Sequence, residues 1–268
     1  MPNALREKWN AGTPTINGWC SIGSSFAAEI MASQGFDSVT VDVQHGALDY
    51  GAALPMIQAI GGRRMLPMAR VPWREPGIIM KMLDAGAMGI ICPMINTRAE
   101  AQEFVSYMRY PPLGQRSFGP TRAAFGHPGY NVKDANQDVL ALAMIETASG
   151  VANLDEIAAT PGLDGLYVGP ADLTLGVTNG RLAPGFDRTE DEMVEVIKRI
   201  AAAAQSNGIG AVLHCGSPEY AAKAISWGYN MVTVSGDVRL LATAAADTVS
   251  RFRQLTGTDG ATGEKGAY

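Results

Sequence analysis

Acidic, basic and imidazole side chains recur in this chain directly after short aliphatic runs. Asp42 and His45 stand in VDVQHG, Arg70 follows LPMA, Glu146 follows LALAMI, and Asp172 follows LYVGPA. An ionised group buried among apolar strands is costly unless it is paired or bound to a metal. This repeated placement predicts one site that combines carboxylates, an imidazole and a guanidinium.

The residue types favour metal-assisted enolate chemistry over Schiff-base chemistry. A Schiff-base aldolase needs a lysine inside a barrel strand, and no lysine lies in a predicted strand. The lysines are Lys8, Lys81, Lys133, Lys198, Lys223 and Lys265. Carboxylates without paired cysteines or clustered histidines suit a hard cation, Mg²⁺ or Mn²⁺, with Co²⁺ or Zn²⁺ as alternatives.

Each of these side chains also has a structural explanation. Glu146 would serve in an ion pair, and Asp172 would cap a short helix. Arg70 would pair with Asp42, and His45 would be an ordinary loop histidine. The sequence leaves these alternatives open for each residue taken singly.

Two further histidines are ambiguous. His214 ends an aliphatic run and is either a site residue or a buried partner of a backbone carbonyl. His127 lies in a polar loop and is expected to be solvated.

Short β-branched or aliphatic runs predict eight strands, apolar on both faces, which is typical of parallel sheets. The runs are Thr15–Ile22, Ser38–Gln44, Leu66–Val71, Gly89–Ile95, Leu140–Glu146, Leu163–Val168, Gly208–Cys215 and Asn230–Ser235.

Amphipathic or Ala-rich segments between these runs predict helices. They are Ser24–Gln34, Tyr50–Ile60, Gly77–Ala85, Thr97–Met108, Glu190–Ser206, Pro218–Trp227 and Val238–Leu255. Thr97 with Glu100 fits a capping box. Gly35, Gly62, Gly86, Gly162, Gly208 and Gly228 are expected at helix C-termini.

Eight β-then-α units in this length predict an α/β fold of the (β/α)8 TIM-barrel type. The rival, a doubly wound open sheet, lacks its GxGxxG fingerprint here. In a barrel, the carboxyl ends of the strands meet at one mouth, where the polar residues above would converge. Two irregular stretches, Tyr110–Lys133 and Pro170–Arg188, are expected as functional loops. We predict one domain over residues 1–255 and a flexible tail over 256–268.

Composition excludes several classes of function. The net charge of −5 and the absence of a basic run argue against binding to nucleic acid. The sequence contains no apolar run of about 18 residues, the length needed to span a membrane. Its polar N-terminal residues do not have the pattern of a secretory signal. Three widely spaced cysteines, Cys20, Cys92 and Cys215, favour a reducing, cytoplasmic setting.

Long segments of the chain strongly resemble the metal-dependent (class II) pyruvate aldolases of the 4-hydroxy-2-oxoheptanedioate aldolase and 2-dehydro-3-deoxyglucarate aldolase (HpcH/HpaI) family. The resembling segments are VDVQHG (Val41–Gly46), ARVP (Ala69–Pro72), LDAGAMGIICPMINT (Leu83–Thr97) and MIETASGVANLDEIAATPGLDGLYVGPADL (Met144–Leu173). The resemblance covers almost the whole chain and keeps the order of its elements.

The resemblance implies a role for each site residue. Glu146 and Asp172 match the family's metal carboxylates, His45 and Arg70 match its catalytic pair, and Asp42 matches the aspartate that precedes the histidine. Residues assigned to substrate binding are Gly169, Pro170, Ala171, Leu213, His214, Asp84 and Arg116.

The implied activity is reversible cleavage of a 4-hydroxy-2-oxo acid into an aldehyde and pyruvate, or a close 2-oxo acid such as hydroxypyruvate. Such enzymes serve aromatic or sugar-acid catabolism. The resemblance also implies a homohexamer in which the C-terminal helix is exchanged between subunits. The alternatives are a related lyase acting by decarboxylation or acyl-CoA cleavage, and an idle barrel that binds small acids.

The chain departs from the family pattern in three places. Gln44 stands where many members carry Glu, Ser117 and Phe118 stand where several have a glycine, and the seventh strand ends in His214-Cys215 rather than small apolar residues. These changes bear on the aldehyde pocket more than on the metal–pyruvate core.

Overall fold

Eight parallel strands close into a barrel in a computed structural model that describes residues 3–63, 65–127 and 129–258. The strands pair in chain order, and β8 closes against β1. They are β1 Thr15–Cys20, β2 Ser38–Asp42, β3 Leu66–Arg70, β4 Gly89–Cys92, β5 Leu140–Ile145, β6 Gly165–Val168, β7 Gly210–Cys215 and β8 Met231–Val234. The predicted (β/α)8 barrel is confirmed.

Helices connect the strands and surround the barrel. Within the described residues they are α1 Ala4–Asn10, α2 Ser25–Ala32, α3 Tyr50–Gly62, α4 Pro76–Ala85, α5 Arg98–Met108, α6 Thr121–Gly126, α7 Val132–Asp138, α8 Ala148–Ala152, α9 Leu154–Ala158, α10 Pro170–Thr178, α11 Asp191–Ser206, α12 Pro218–Ser226 and α13 Asp237–Thr256.

Local sequence explains several helix ends. The Thr97–Glu100 capping box is present at the start of α5, with both of its hydrogen bonds formed. Gly86 ends α4 in the left-handed conformation at φ 106°, as a C-terminal glycine should. Gly62 was expected in the same role, but it lies inside α3, which Arg63 caps.

Alternation along the strands divides the apolar residues into two cores. Residues such as Met68, Leu142 and Val212 fill the barrel interior, which Leu5 and Trp9 of α1 help to pack. Their neighbours along the strands, such as Ala69, Ala143 and Leu213, pack outward against the helices. This period of two decides which side chains reach the mouth of the barrel.

Both stretches expected to be irregular contain helices. Pro170–Arg188 begins with α10, because Pro170 at the first turn favours helix initiation. Tyr110–Lys133 contains α6 and the start of α7, and Arg122 Nη1 donates to the Ala85 carbonyl at 2.8 Å, which ties α6 to the end of α4.

The last helix runs slightly past the predicted domain boundary, to Thr256. The predicted tail lies outside the described residues from position 259 onward. Asp237 anchors the start of α13, since its carboxylate accepts hydrogen bonds from Ser21 N and Ile22 N at 2.9 and 3.0 Å. None of the helices in the described part of the chain combines the length and apolarity needed to cross a membrane.

Candidate active site

A cavity of about 440 Å³ opens at the carboxyl ends of the strands. It brings together nine residues that the sequence predicts for the site: Asp42, His45, Arg70, Glu146, Gly169, Pro170, Ala171, Asp172 and His214. They come from five separate βα segments, so the convergence expected from the barrel is observed. This is the face on which TIM-barrel enzymes carry their active sites.

The alternation of side chains along each strand places these residues at the cavity. Thr40 and Asp42 share the inner face of β2, Met68 and Arg70 that of β3, and Met144 lies on the inner face of β5 and lines the cavity. A β-strand directs successive side chains to opposite faces, so a shift of one residue would turn each of them into the outer core.

Arg70 is held in a fixed orientation. Its Nε and Nη2 donate to Asp42 Oδ1 and Oδ2 at 2.8 and 2.6 Å, and its Cζ lies 4.8 Å from the centroid of the Trp19 ring. Trp19 Nε1 also donates to Asp42 Oδ2 at 3.2 Å. The predicted Arg70–Asp42 pair therefore exists, and it aims the guanidinium into the cavity.

Electrostatics keeps this pair charged. Burial alone would raise the pKa of Asp42, but the hydrogen bond and positive charge of Arg70 bring it below the ordinary value. The pKa of Arg70 is raised because Asp42 outweighs the desolvation of the guanidinium. The guanidinium is therefore a permanent positive charge beside the site.

His45 reaches the cavity from a tight turn after β2. Gly46 N donates to the Asp42 carbonyl at 3.1 Å, and a side chain at Gly46 would collide with that oxygen. The carboxylate of Asp42 accepts from the backbone N–H of His45 at 3.3 Å. Asp42 thus fixes the backbone of His45.

Glu146 stands immediately after β5 with only 2% of its surface exposed. Its Oε1 accepts from Met94 N at 2.8 Å, and Met94 holds a left-handed φ of 58° to present that amide. Burial raises the pKa of Glu146 to about 7, and the negative charge of Asp172 adds to this effect. Met94 has no functional side chain, so sequence reasoning missed it.

Asp172 lies in the first turn of α10, and Gly169 precedes that helix. A Cβ at Gly169 would stand 2.6 Å from Glu146 Oε2 and 2.8 Å from Met144 Cε. Glycine is therefore required here for space, and it allows the helix start to approach Glu146. Ala171 and Asp172 both line the cavity.

The two carboxylates fit a hard divalent cation. Glu146 and Asp172 both line the cavity, and their negative charges repel each other. A bound cation would relieve this repulsion. Throughout the described ranges, no group of three or more His, Cys, Asp and Glu side chains has metal-binding geometry. Two protein ligands leave open positions on a six-coordinate ion for substrate oxygens.

Trp19, Phe186 and His214 form an aromatic wall of the same cavity. The His214 ring stacks on Phe186 at 4.8 Å and 18°, and meets Trp19 edge-on at 4.9 Å. Phe186 comes from the loop after α10, and sequence reasoning missed it because no local motif marks it. His214 Nδ1 lies 3.0 Å from the Tyr167 hydroxyl oxygen. Its hydrogen-bond partner is therefore a side chain, and not the backbone carbonyl that was one of the two expectations for this residue.

Three residues assigned to substrate binding lie away from this cavity. Leu213 is fully buried in the outer core, because its neighbours in β7 occupy the inner face. Arg116 and Asp84 pair with each other at 2.7 Å, and the Arg116 Cζ stands 4.4 Å from the Tyr110 ring centroid. Within one chain, none of the three lines the site.

The loop histidine, His127, was expected to be solvated and is half-buried. Its Nε2 is sealed from solvent and has no hydrogen-bond partner in the described residues. Burial lowers its pKa. No strand in the part of the chain that the structure describes contains a lysine, which agrees with the exclusion of a Schiff base.

Comparisons with known proteins agree with the fold. The family described as HpcH/HpaI aldolase/citrate lyase matches residues 19–244. A hydroxypyruvate/pyruvate aldolase from Rhizorhabdus wittichii is 39% identical over 94% of this chain and 100% of its own length. A 5-keto-4-deoxy-D-glucarate aldolase from Escherichia coli is 30% identical over 95% and 98% of the two chains.

A solved structure of the same family, from Burkholderia cenocepacia, superposes with a TM-score of 0.85. It is 31% identical and covers 94% of this chain and 99% of its own. Both sequence and architecture are therefore shared along nearly the full length.

Proposed function

The chain belongs to the HpcH/HpaI aldolase/citrate lyase family, and we propose on this premise that it is a class II aldolase. It is a carbon–carbon lyase that reversibly cleaves a 4-hydroxy-2-oxo acid into an aldehyde and pyruvate or hydroxypyruvate. The observation that carries the proposal is the convergence of Arg70, Glu146 and Asp172 on one cavity without a strand lysine.

Glu146 and Asp172 would hold a divalent cation, Mg²⁺ or Mn²⁺ by their hard oxygen ligands, with Co²⁺ or Zn²⁺ as substitutes. When bound, the cation would polarise the carbonyl of the 2-oxo acid and lower the cost of forming its enolate. The Met94 amide keeps Glu146 in place for this role, since it occupies one of the two carboxylate oxygens.

The protein side chains have separate tasks in the reaction. Arg70 is placed to offset negative charge on the enolate oxygen, and its bonds to Asp42 leave the Nη1 edge for that contact. Backbone N–H groups of Ala171 and Asp172, at the start of α10, would bind the substrate carboxylate. His45 would move a proton at the 4-hydroxyl of the substrate, directly or through water.

Proton exchange of pyruvate tests the enolate half of this reaction without knowledge of the aldehyde. We would follow the methyl signal of pyruvate in D₂O by NMR, with Mg²⁺ or Mn²⁺ and then with excess EDTA. Metal-dependent loss of the methyl signal is the expected result. Folded protein that gives no exchange with any of these metals, with pyruvate or hydroxypyruvate, would contradict the aldolase proposal.

The relatives named above act, by their names, on hydroxypyruvate, pyruvate and a sugar acid. We propose catabolism of a hydroxylated acid for this chain as well. The three cysteines are buried and unpaired, which suits a reducing cytoplasm.

A homohexamer with an exchanged C-terminal helix is the proposed assembly. Support comes from α13, in which only Asp237 is buried although the helix is 20 residues long. Its exposed apolar side chains are Val238, Leu240, Leu241, Val249, Phe252 and Leu255. A second copy of the chain would cover them.

A further inference from the structure

His214 is a polar residue of the cavity that has no task in the reaction derived above. Its side chain occupies the inner face of β7, between the aromatic rings of Trp19 and Phe186. Both rings turn aromatic surface toward the imidazole, and Ser235, Asp237 and Arg239 line the cavity from the segment after β8.

Hydrogen bonding inside the barrel selects one tautomer of His214. Tyr167 donates its hydroxyl proton to Thr233 Oγ1 at 2.9 Å. The Tyr167 oxygen is therefore left to accept, and the neighbouring His214 Nδ1, at 3.0 Å, carries the proton that it accepts. A neutral imidazole with hydrogen on Nδ1 has its lone pair on Nε2.

The imidazole stays neutral in this setting. Burial lowers the pKa of His214 to about 3, and the positive charge of Arg70 contributes in the same direction. Across the described residues, no hydrogen-bond donor contacts Nε2, and this atom is not sealed from solvent. Nε2 is thus an acceptor presented to whatever occupies the cavity.

The loop after α10 is built to hold this acceptor in place. Asp187 adopts a left-handed φ of 45°, and its Oδ1 and Oδ2 accept from Gly216 N and Ser217 Oγ at 2.7 and 2.6 Å. These bonds tie the loop to the end of β7 and keep Phe186 flat against the imidazole. Strain of this kind is found at functional sites.

We propose that His214 selects substrates with a hydroxyl group on the carbon next to the carbonyl, by accepting a hydrogen bond from that hydroxyl at Nε2. The proposal rests on the aldolase function and names its substrate class. The hydroxyl belongs either to a 3-hydroxy-2-oxo acid donor or to a 2-hydroxyaldehyde acceptor, and both present the same donor to Nε2.

Isosteric substrate pairs distinguish the two sources. Hydroxypyruvate is compared with 2-oxobutanoate as the donor, and glycolaldehyde with propanal as the acceptor, each pair differing by a hydroxyl in place of a methyl. We expect kcat/KM to favour the hydroxylated member of one pair by about tenfold, the value of one net hydrogen bond. The pair that shows the preference identifies the source, and no preference in either pair overturns the proposal.

Two variants separate recognition from a structural role. His214→Gln keeps a polar atom at the position of Nε2, whereas His214→Asn keeps only a group at the position of Nδ1 that can bond Tyr167. We expect Gln to retain the preference and Asn to lose it. The reverse pattern would show that the Tyr167 bond matters and would overturn the proposal. His127→Gln, outside the cavity, is the matched control and should keep the wild-type preference.

A measurement on the unaltered protein covers the case in which a variant fails to fold. The chain has only 3 histidines, so ¹⁵N NMR can assign each ring. We expect His214 with a protonated Nδ1 and an unprotonated Nε2 from pH 6 to 8, and a protonated Nε2 would overturn the proposal. Wild-type protein without metal-dependent pyruvate exchange would instead remove the aldolase function itself, so the two failures are distinguishable.

Discussion

At the scale of single residues, the site depends on charges that are held by specific partners. Arg70 is fixed by Asp42 and Trp19, and Glu146 by the amide of Met94. Each arrangement can be disrupted by one substitution that leaves the surrounding core unchanged in volume. Three predictions follow from these contacts.

Arg70→Lys keeps the charge but loses the bidentate pairing with Asp42, because an ammonium is a point charge. We expect kcat/KM for cleavage to fall by at least about 100-fold, the usual effect of removing one oxyanion donor. Steady-state kinetics measures this, and circular dichroism checks the fold. Arg74→Lys, where Arg74 pairs with Glu103 outside the cavity, is the control. Near-normal turnover of the Arg70 variant would remove Arg70 from its role.

Glu146→Gln keeps the shape of the side chain and removes its charge. We expect Mn²⁺ affinity to fall by about 100-fold or more, since the ion would lose one of two anionic ligands. Isothermal titration calorimetry measures this directly. The exposed Glu195 on α11 offers Glu195→Gln as a control. Equal Mn²⁺ affinity of the Glu146 variant and the wild type would refute the ligand assignment.

Gly169→Ala introduces a methyl group 2.6 Å from Glu146 Oε2. Glu146 must move, and we expect about tenfold weaker Mn²⁺ binding while the protein still folds. Gly119→Ala is the matched control, because a Cβ there meets nothing within 4 Å. Unchanged Mn²⁺ affinity in the Gly169 variant would show that Glu146 tolerates displacement.

At the scale of elements, the loops after the strands decide the shape of the cavity. Met94, Asp187 and Ser235 all hold left-handed φ values, of 58°, 45° and 60°, close to the site. A left-handed backbone conformation costs free energy for residues other than glycine, and the surrounding contacts must compensate for that cost. The Asp187 contacts provide the clearest test.

Asp187→Ala removes the acceptor for Gly216 N and Ser217 Oγ. We expect the loop after α10 to separate from β7, and amide exchange at Gly216 to become about tenfold faster. Hydrogen exchange measured by NMR or mass spectrometry reports this locally. Unchanged protection at Gly216 would mean that Phe186 alone holds the loop.

At the scale of the whole molecule, α13 presents an exposed apolar face. Phe252 is 64% exposed and Leu241 is 63% exposed on a helix whose start Asp237 bonds to the segment after β1. An apolar face of this kind is unfavourable in water. The assembly proposed above would cover this face with another copy of the chain.

Light scattering coupled to size-exclusion chromatography should give the mass of six chains of 28.2 kDa. The double variant Leu241→Asp, Phe252→Asp should dissociate into smaller species, because it places two charges on the buried face of the interface. A wild-type protein that elutes as a 28.2 kDa monomer at micromolar concentration would contradict the assembly.

The sequence by itself determined the barrel and most of the site. Aliphatic runs and helical segments alternate with fixed periods, and a period of two places Asp42, Arg70 and His214 on inner faces without any knowledge of the fold in space. The strand ends then meet at one mouth in any (β/α)8 barrel. This is why nine predicted residues line one cavity.

Only the tertiary structure decided the partners that hold these residues. The Met94 amide and the Phe186 ring reach the site from distant loops, and neither a backbone N–H nor a lone aromatic residue has a recognisable sequence signature. Likewise, Arg116 and Asp84 pair with each other, because long-range packing decides where a charged side chain finds its partner. Local periodicity encodes which face a residue occupies, whereas contacts between distant segments depend on how the whole chain closes.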